Sequence, residues 1–146
     1  VLRGAPVTVQ ALAEPGLGAR LRVPLLVAGA AGLGAVALLA RDPHVPGSWG
    51  VCPSVALAGV YCPSCGVMRG TADLLHGDLA GAWAMNPLWV VMVPVLVLAW
   101  GLWLVRRWQG RPVPAVPRAV WWVGLGGLVL FGVARNLPWF EGLAPP

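Results

Sequence analysis

From Val23 to Ala40, from Pro87 to Val105 and from Ala119 to Ala134 the chain carries no charged side chain, and each run is closed by arginine on at least one side. No other feature restricts the fold as strongly. A helix needs about 20 apolar residues to cross a bilayer, with about 17–25 the usual range. The first two runs satisfy this, and the third does so if Arg118 and Arg135 snorkel at its ends. Burial in a water-soluble core is the competing explanation, and composition disfavours it. Only 10% of the residues are charged and 58% are hydrophobic, against about 25% charged in soluble domains. Too little polar surface remains to cover three apolar helices. The reading is an all-α membrane protein with transmembrane helices at 23–40, 87–105 and 119–134.

The arginines orient these helices. The segment 1–22 holds Arg3, Arg20 and Arg22, and the loop 106–118 holds Arg106, Arg107, Arg111 and Arg118. In a three-span chain these share one side, and the other side receives Arg41, Arg69 and Arg135. Positive charge favours the cytoplasm, which puts the segment 41–86 and the tail 135–146 outside. Residues 1–22 are too polar for a cleavable leader, so the first run is read as an anchor. Trp83 and Trp89, Trp100, Trp103 and Trp108, and Trp121, Trp122 and Trp139 lie near helix ends, as in the aromatic belts of membrane interfaces. Gly29, Gly32 and Gly34 suit close helix approach, and Pro94 is expected to kink the second helix. The net charge of +5 is explained by these flanks. No basic stripe with interleaved aromatics points to nucleic acid, and no internal repeat stands out.

All three cysteines fall in the stretch CPSVALAGVYCPSCGVMRG, residues 52–70. Each of Cys52 and Cys62 precedes a proline, and proline favours the first turn of a helix. Cys62 is therefore expected at the N-cap of a helix running from Pro63 to about His76, where free amides and the helix dipole stabilise a thiolate. That helix sets Arg69, Asp73 and His76 on one face. Gly77 ends it, Asp78 caps the next turn, and Asn86 with Pro87 starts the second span. The topology brings Cys52, Cys62, Cys65, Arg69, Asn86, Arg135 and Asn136 towards one outer membrane edge.

The stretch CPSVALAGVYCPSCGVMRGTADLLHGDLAGAWAMNP resembles the domain-of-unknown-function 2752 family of small bacterial membrane proteins. The family pattern falls on Cys52-Pro53, Cys62-Pro63, Cys65-Gly66, Arg69, Gly77-Asp78 and Asn86-Pro87, with a late pair at Arg135 and Asn136. Met68 stands where the family usually has threonine. The resemblance covers about residues 50–138. It implies a bacterial cytoplasmic membrane location and brings no assigned biochemistry.

Three readings of the cysteines remain. In the first, one disulfide and packing hold a folded cap, with one thiol left over. The protein is then a non-enzymatic accessory or assembly component of an envelope complex, in contact with lipid and other membrane proteins, and no cofactor is expected. In the second, Cys62 and Cys65 exchange disulfides, with Cys52 as a third partner. In the third, Cys52, Cys62 and Cys65 bind zinc with His76 or His44 as the fourth ligand. Arg69 and Arg135 either bind anions or headgroups, or else snorkel, Arg69 also being able to pair with Asp73. No paired carboxylates, Ser/His/Asp arrangement or phosphate loop supports a hydrolase or nucleotide enzyme.

Overall fold

The structure is a computed structural model that describes residues 16–143. The expectations for residues 1–15, Arg3 included, and for 144–146 lie outside the described residues. Within them the chain is entirely helical, with no strand: α1 (Leu17–Ala40), α2 (Pro53–Ala58), α3 (Val67–His76), α4 (Leu79–Met85), α5 (Pro87–Trp108), α6 (Arg118–Ala134) and a short 3-10 segment (Pro138–Leu143).

Among the described residues two helices, α1 and α5, are long and apolar enough to cross a membrane. At 1.5 Å per residue they span about 36 and about 33 Å. The third apolar run forms α6, whose 17 residues reach only about 26 Å. Helix α1 starts at Leu17 and carries Pro24 in its interior, so the helix begins before the apolar run that announces it. Pro94 likewise lies inside α5 without ending it. Helices α1 and α5 pack together, and the Trp100 indole N–H donates to the Pro24 carbonyl at 3.2 Å. The arginine of the N-terminal end of α1, Arg20, approaches Gly110 just beyond α5, which fixes the pair as antiparallel.

These helices turn their apolar side chains outward. Leu25, Leu26, Leu33 and Val36 on α1, Val95, Val97 and Leu98 on α5, and Trp121, Trp122 and Leu130 on α6 are all exposed. The glycines of α1 do not serve packing within the described chain: a Cβ added to Gly29, Gly32 or Gly34 would meet nothing within 4 Å.

Polar order is concentrated at one end, where α2, α3 and α4 build a cap between α1 and α5. Helix α3 packs on α4 and α1, and α4 on α5. Local sequence explains its corners. Gly77 ends α3 in the left-handed region, at φ 80°, where the lack of a Cβ removes the strain. The Asp78 carboxylate accepts from the Gly81 amide and caps α4. The Asn86 side chain accepts from the Trp89 amide and caps α5, with Pro87 in its first turn. Cys52 is the N-cap of α2 with Pro53 following.

The second Cys-Pro pair behaves differently from the first. The expected helix start at Pro63 is corrected to Val67, with Gly66 rather than Cys62 as the N-cap. Residues 63–66 form turns, and Gly66 has φ 84°. A helix through Pro63 would spend the carbonyls of Cys62 and Pro63 on amides four residues on. Here the Cys62 carbonyl accepts the Cys65 amide three residues on, at 3.1 Å, and side chains from distant parts of the chain also reach both carbonyls.

Candidate functional site

Arg135, at the C-terminal end of α6, is 2% exposed. Its Nη1 donates to the carbonyls of Cys62 (3.2 Å), Pro63 (3.2 Å) and Cys65 (2.9 Å), and its Nη2 to that of Met85 (3.3 Å). Its guanidinium also lies over the Phe131 ring, 5.1 Å from the centroid. Asn86, 1% exposed, donates from Nδ2 to the carbonyls of Pro63 (2.9 Å) and Cys65 (3.1 Å). Asn136 clamps the preceding residue, accepting from the Tyr61 amide and donating to the Tyr61 carbonyl, both at 2.8 Å. Its Nδ2 also reaches the Gly132 carbonyl at 2.8 Å. Three side chains thus hold the turn 61–65 by its backbone.

That turn is also closely approached. A Cβ on Gly66 would collide with the Met85 carbonyl oxygen, and one on Gly132 would lie 2.9 Å from the Pro63 ring. The two small residues let α4 and α6 close on the loop.

The three sulfurs that this frame presents are mutually adjacent. The Sγ separations are 3.0 Å for Cys62–Cys65, 3.3 Å for Cys52–Cys65 and 3.6 Å for Cys52–Cys62. All three are free thiols, well beyond the roughly 2.05 Å of a disulfide. Cys65 also receives a backbone amide, from Cys62 N at 3.3 Å. The Ser54 hydroxyl lies 3.0 Å from the Cys52 sulfur and that of Ser64 lies 3.2 Å from the Cys62 sulfur. Sequence reasoning missed both serines. The signal was the repeated tripeptide Cys-Pro-Ser at 52–54 and 62–64, which places a hydroxyl two residues after a sulfur each time.

These donors divide the thiols. For Cys62, burial pushes the pKa up, but hydrogen bonds from Ser64, Cys65 and Cys52 outweigh it and bring it down to about 6. Cys65 is buried and donates to its two neighbours, and both effects push its pKa up, to about 12. The Ser54 hydroxyl, and then Cys65, lower that of Cys52. Burial lowers the pKa of Arg135, while the Cys65 and Cys62 thiols pull it back up. An arginine stays protonated in proteins, so a positive charge sits under the loop that carries the thiols.

The sulfurs open on a groove of about 640 Å³. Cys52, Cys62 and Cys65 line it with Met68, Arg69, Trp49 and the loop from Pro43. That loop is fixed from both sides. Arg69 Nε donates to the Pro43 carbonyl at 3.3 Å, and the His44 ring reaches Asp42 at 2.9 Å and Asp73 at 3.2 Å.

This arrangement corrects three expectations. Asp73 pairs with His44, where Arg69 was an expected partner. His76 turns its Nδ1 to the Ala72 carbonyl at 2.7 Å. The only metal-capable cluster among the described residues is Cys52, Cys62 and Cys65, and neither His76 nor His44 belongs to it. The physical reason is the turn at 63–66. It rotates the sulfurs towards Cys52 and the groove, whereas a continuous helix would have carried Cys62 and His76 on one rod.

The fold and site together define a helical protein with two long apolar helices and a cap built around three thiols. Residues 52–100 match the model of the family described as protein of unknown function (DUF2752). The matched stretch covers the cysteine cap and most of α5, and it is the family whose motif the sequence resembles. Arg135 and Asn136 lie beyond the matched stretch, yet they hold the matched loop in place. No curated protein and no solved structure matches the chain.

Proposed function

We propose that this chain is a three-span integral membrane protein of the bacterial cytoplasmic membrane, with its thiol cap outside the cytoplasm. Within an envelope complex it is a non-enzymatic accessory component, and its cap carries a thiophilic metal ion, zinc among the candidates, on Cys52, Cys62 and Cys65. One observation carries the metal assignment: three sulfurs within 3.6 Å of one another, each within hydrogen-bond reach of an amide or a hydroxyl. A single disulfide would use two of them and leave the third pressed against it. Metal binding uses all three, as deprotonated ligands of a kind that soft ions prefer.

Two further features support the membrane part. The apolar faces of α1, α5 and α6 are exposed, and lipid or other helices are the coverings that suit them. Six arginines (Arg20, Arg22, Arg106, Arg107, Arg111 and Arg118) gather at the end of the helices away from the cap. The cap end carries three, Arg41, Arg69 and Arg135, of which Arg69 and Arg135 spend donors on backbone carbonyls. That asymmetry favours the cap outside.

The test is metal analysis of the protein purified in mild detergent, combined with mass-tagging of thiols. Close to one equivalent of bound ion, with thiols that react only after a chelator, supports the centre. Metal-free protein whose thiols react at once sinks it. An impermeant thiol reagent on intact cells checks the orientation, and labelling only after the membrane is opened overturns it. Co-purifying membrane proteins test the accessory role, which fails if the protein is recovered alone under gentle extraction.

A second reading rests on its own observation. Cys62 and Cys65 stand 3.0 Å apart with pKa values of about 6 and about 12. That asymmetry suits a nucleophilic thiol beside a resolving one. Thiols released by reductant and not by chelator would favour disulfide exchange over metal.

A further inference from the structure

We infer that the three-thiol centre is built for a soft monovalent d10 ion, Cu(I), in all-sulfur coordination, and that Met68 is the ligand that receives the ion at the groove. This rests on the metal reading above and names the ion and its route.

The ligand set is the first argument. Zinc sites in proteins are almost always four-coordinate, with histidine, carboxylate or water completing the set. Here the nearby candidates are committed elsewhere: His44 lies between Asp42 and Asp73, and His76 is bonded to the Ala72 carbonyl. Three sulfurs remain. A monovalent d10 ion is satisfied by two or three thiolates, and thiolate and thioether donors select it. The unequal thiols suit it as well. Cys52 and Cys62 are the partly exposed pair with hydroxyl donors, and Cys65, 8% exposed, lies beneath them. Two sulfurs face the entry and the third closes the site from below.

The approach is the second argument. The groove that ends at the sulfurs is lined by Met68, which is 39% exposed. Its thioether is a neutral soft donor, so it can take Cu(I) from solution without a proton leaving. Transfer to the thiols then exchanges thioether sulfur for thiolate sulfur. Each S–H that becomes a ligand releases one proton to solvent, and the oxidation state of the ion does not change. Arg69, on the same groove wall, offers no lone pair and cannot compete as a ligand.

The experiment uses the full chain in detergent under anaerobic conditions. Cu(I) and Zn(II) are titrated against chromophoric chelators, and a rapid-mixing measurement follows the ultraviolet thiolate-to-copper band. The expected result is one Cu(I) per chain that excess Zn(II) does not displace, with X-ray absorption reporting sulfur neighbours only. Met68→Leu, which conserves volume, should slow loading several-fold while the final Cu(I) affinity stays unchanged. Displacement of Cu(I) by Zn(II), or nitrogen neighbours in the absorption spectrum, overturns the ion assignment and leaves the metal centre standing. Binding of neither ion overturns the centre itself. Loading of Met68→Leu at the parent rate removes Met68 from the route.

Discussion

Arg135 Nη1 meets the Cys65 carbonyl oxygen at 2.9 Å across 70 residues of chain. The bond ties the end of α6 to the loop that carries two of the three thiols. The same guanidinium takes the carbonyls of Cys62, Pro63 and Met85, so one side chain satisfies four acceptors from two segments. An arginine is suited to this because its planar fork presents five donors in fixed directions.

Replacing that fork should loosen the cap. Hydrogen bonds to charged groups contribute about 1.5–3 kcal/mol each, and bonds sharing one side chain do not add. Arg135→Lys keeps the charge and loses the geometry, and should cost roughly 2–4 kcal/mol. The readout is a lower thermal midpoint in detergent, with Cys65 becoming open to alkylation. A variant with unchanged midpoint and protected Cys65 would show that the fork is dispensable.

Asn86 gives a sharper chemical test. It donates to Pro63 and Cys65 and accepts from the Trp89 amide in the same buried site. Asn86→Asp preserves the helix cap but turns both donors into an acceptor facing two carbonyls. Asn86→Ser preserves a cap of ordinary strength and introduces no charge. Aspartate should therefore be the worse of the two by at least about 1–3 kcal/mol, the cost of an unsatisfied buried polar group. Equal stability by denaturant unfolding would contradict the assignment of the donors.

Two glycines separate backbone strain from crowding. Gly59 and Gly66 both have positive φ, 64° and 84°. A Cβ at Gly59 meets nothing within 4 Å, whereas one at Gly66 runs into the Met85 carbonyl. Gly59→Ala should cost about 1–2 kcal/mol, the penalty of a left-handed alanine. Gly66→Ala should cost more and separate α3 from α4. Expression level and thermal midpoint of the two variants provide the comparison, and a milder effect at Gly66 would contradict the close approach.

The thiols predict a pH profile. With a pKa of about 6, Cys62 in metal-free protein loses its thiolate as pH falls through about 6, whereas an ordinary cysteine does so near 9. Its alkylation rate should therefore rise through a midpoint near pH 6 and stay flat above it. Ser64→Ala removes the hydroxyl donor and should move that midpoint upward, and Ser54→Ala should do the same for Cys52. Residue-resolved alkylation by mass spectrometry checks both shifts. An unchanged Cys62 midpoint in Ser64→Ala would remove the serine from the account.

Much of this protein was determined by local sequence alone. An uncharged run of bilayer length must satisfy its backbone within itself and so reads as a helix, and proline and asparagine before a run, or glycine after one, fix an end through bonds made within a turn. Hence α5 begins where Asn86-Pro87 places it, α3 ends at Gly77, and Asp78 caps α4. The arginine flanks were equally legible, because charge at the end of an apolar run needs no partner to be recognised.

Tertiary structure decided where the chemistry sits. Cys62-Pro63 has the same local signature as Cys52-Pro53, yet only Cys52 starts a helix there. The difference comes from Arg135 and Asn86, which take the carbonyls that a helix would have used. The same turn draws the three sulfurs together and leaves His76 bonded to its own helix. Spacing encodes the bonds a residue makes to its neighbours in sequence. Which of two competing donors wins a carbonyl depends on side chains up to 73 residues away, and that contest is settled only once the helices have packed.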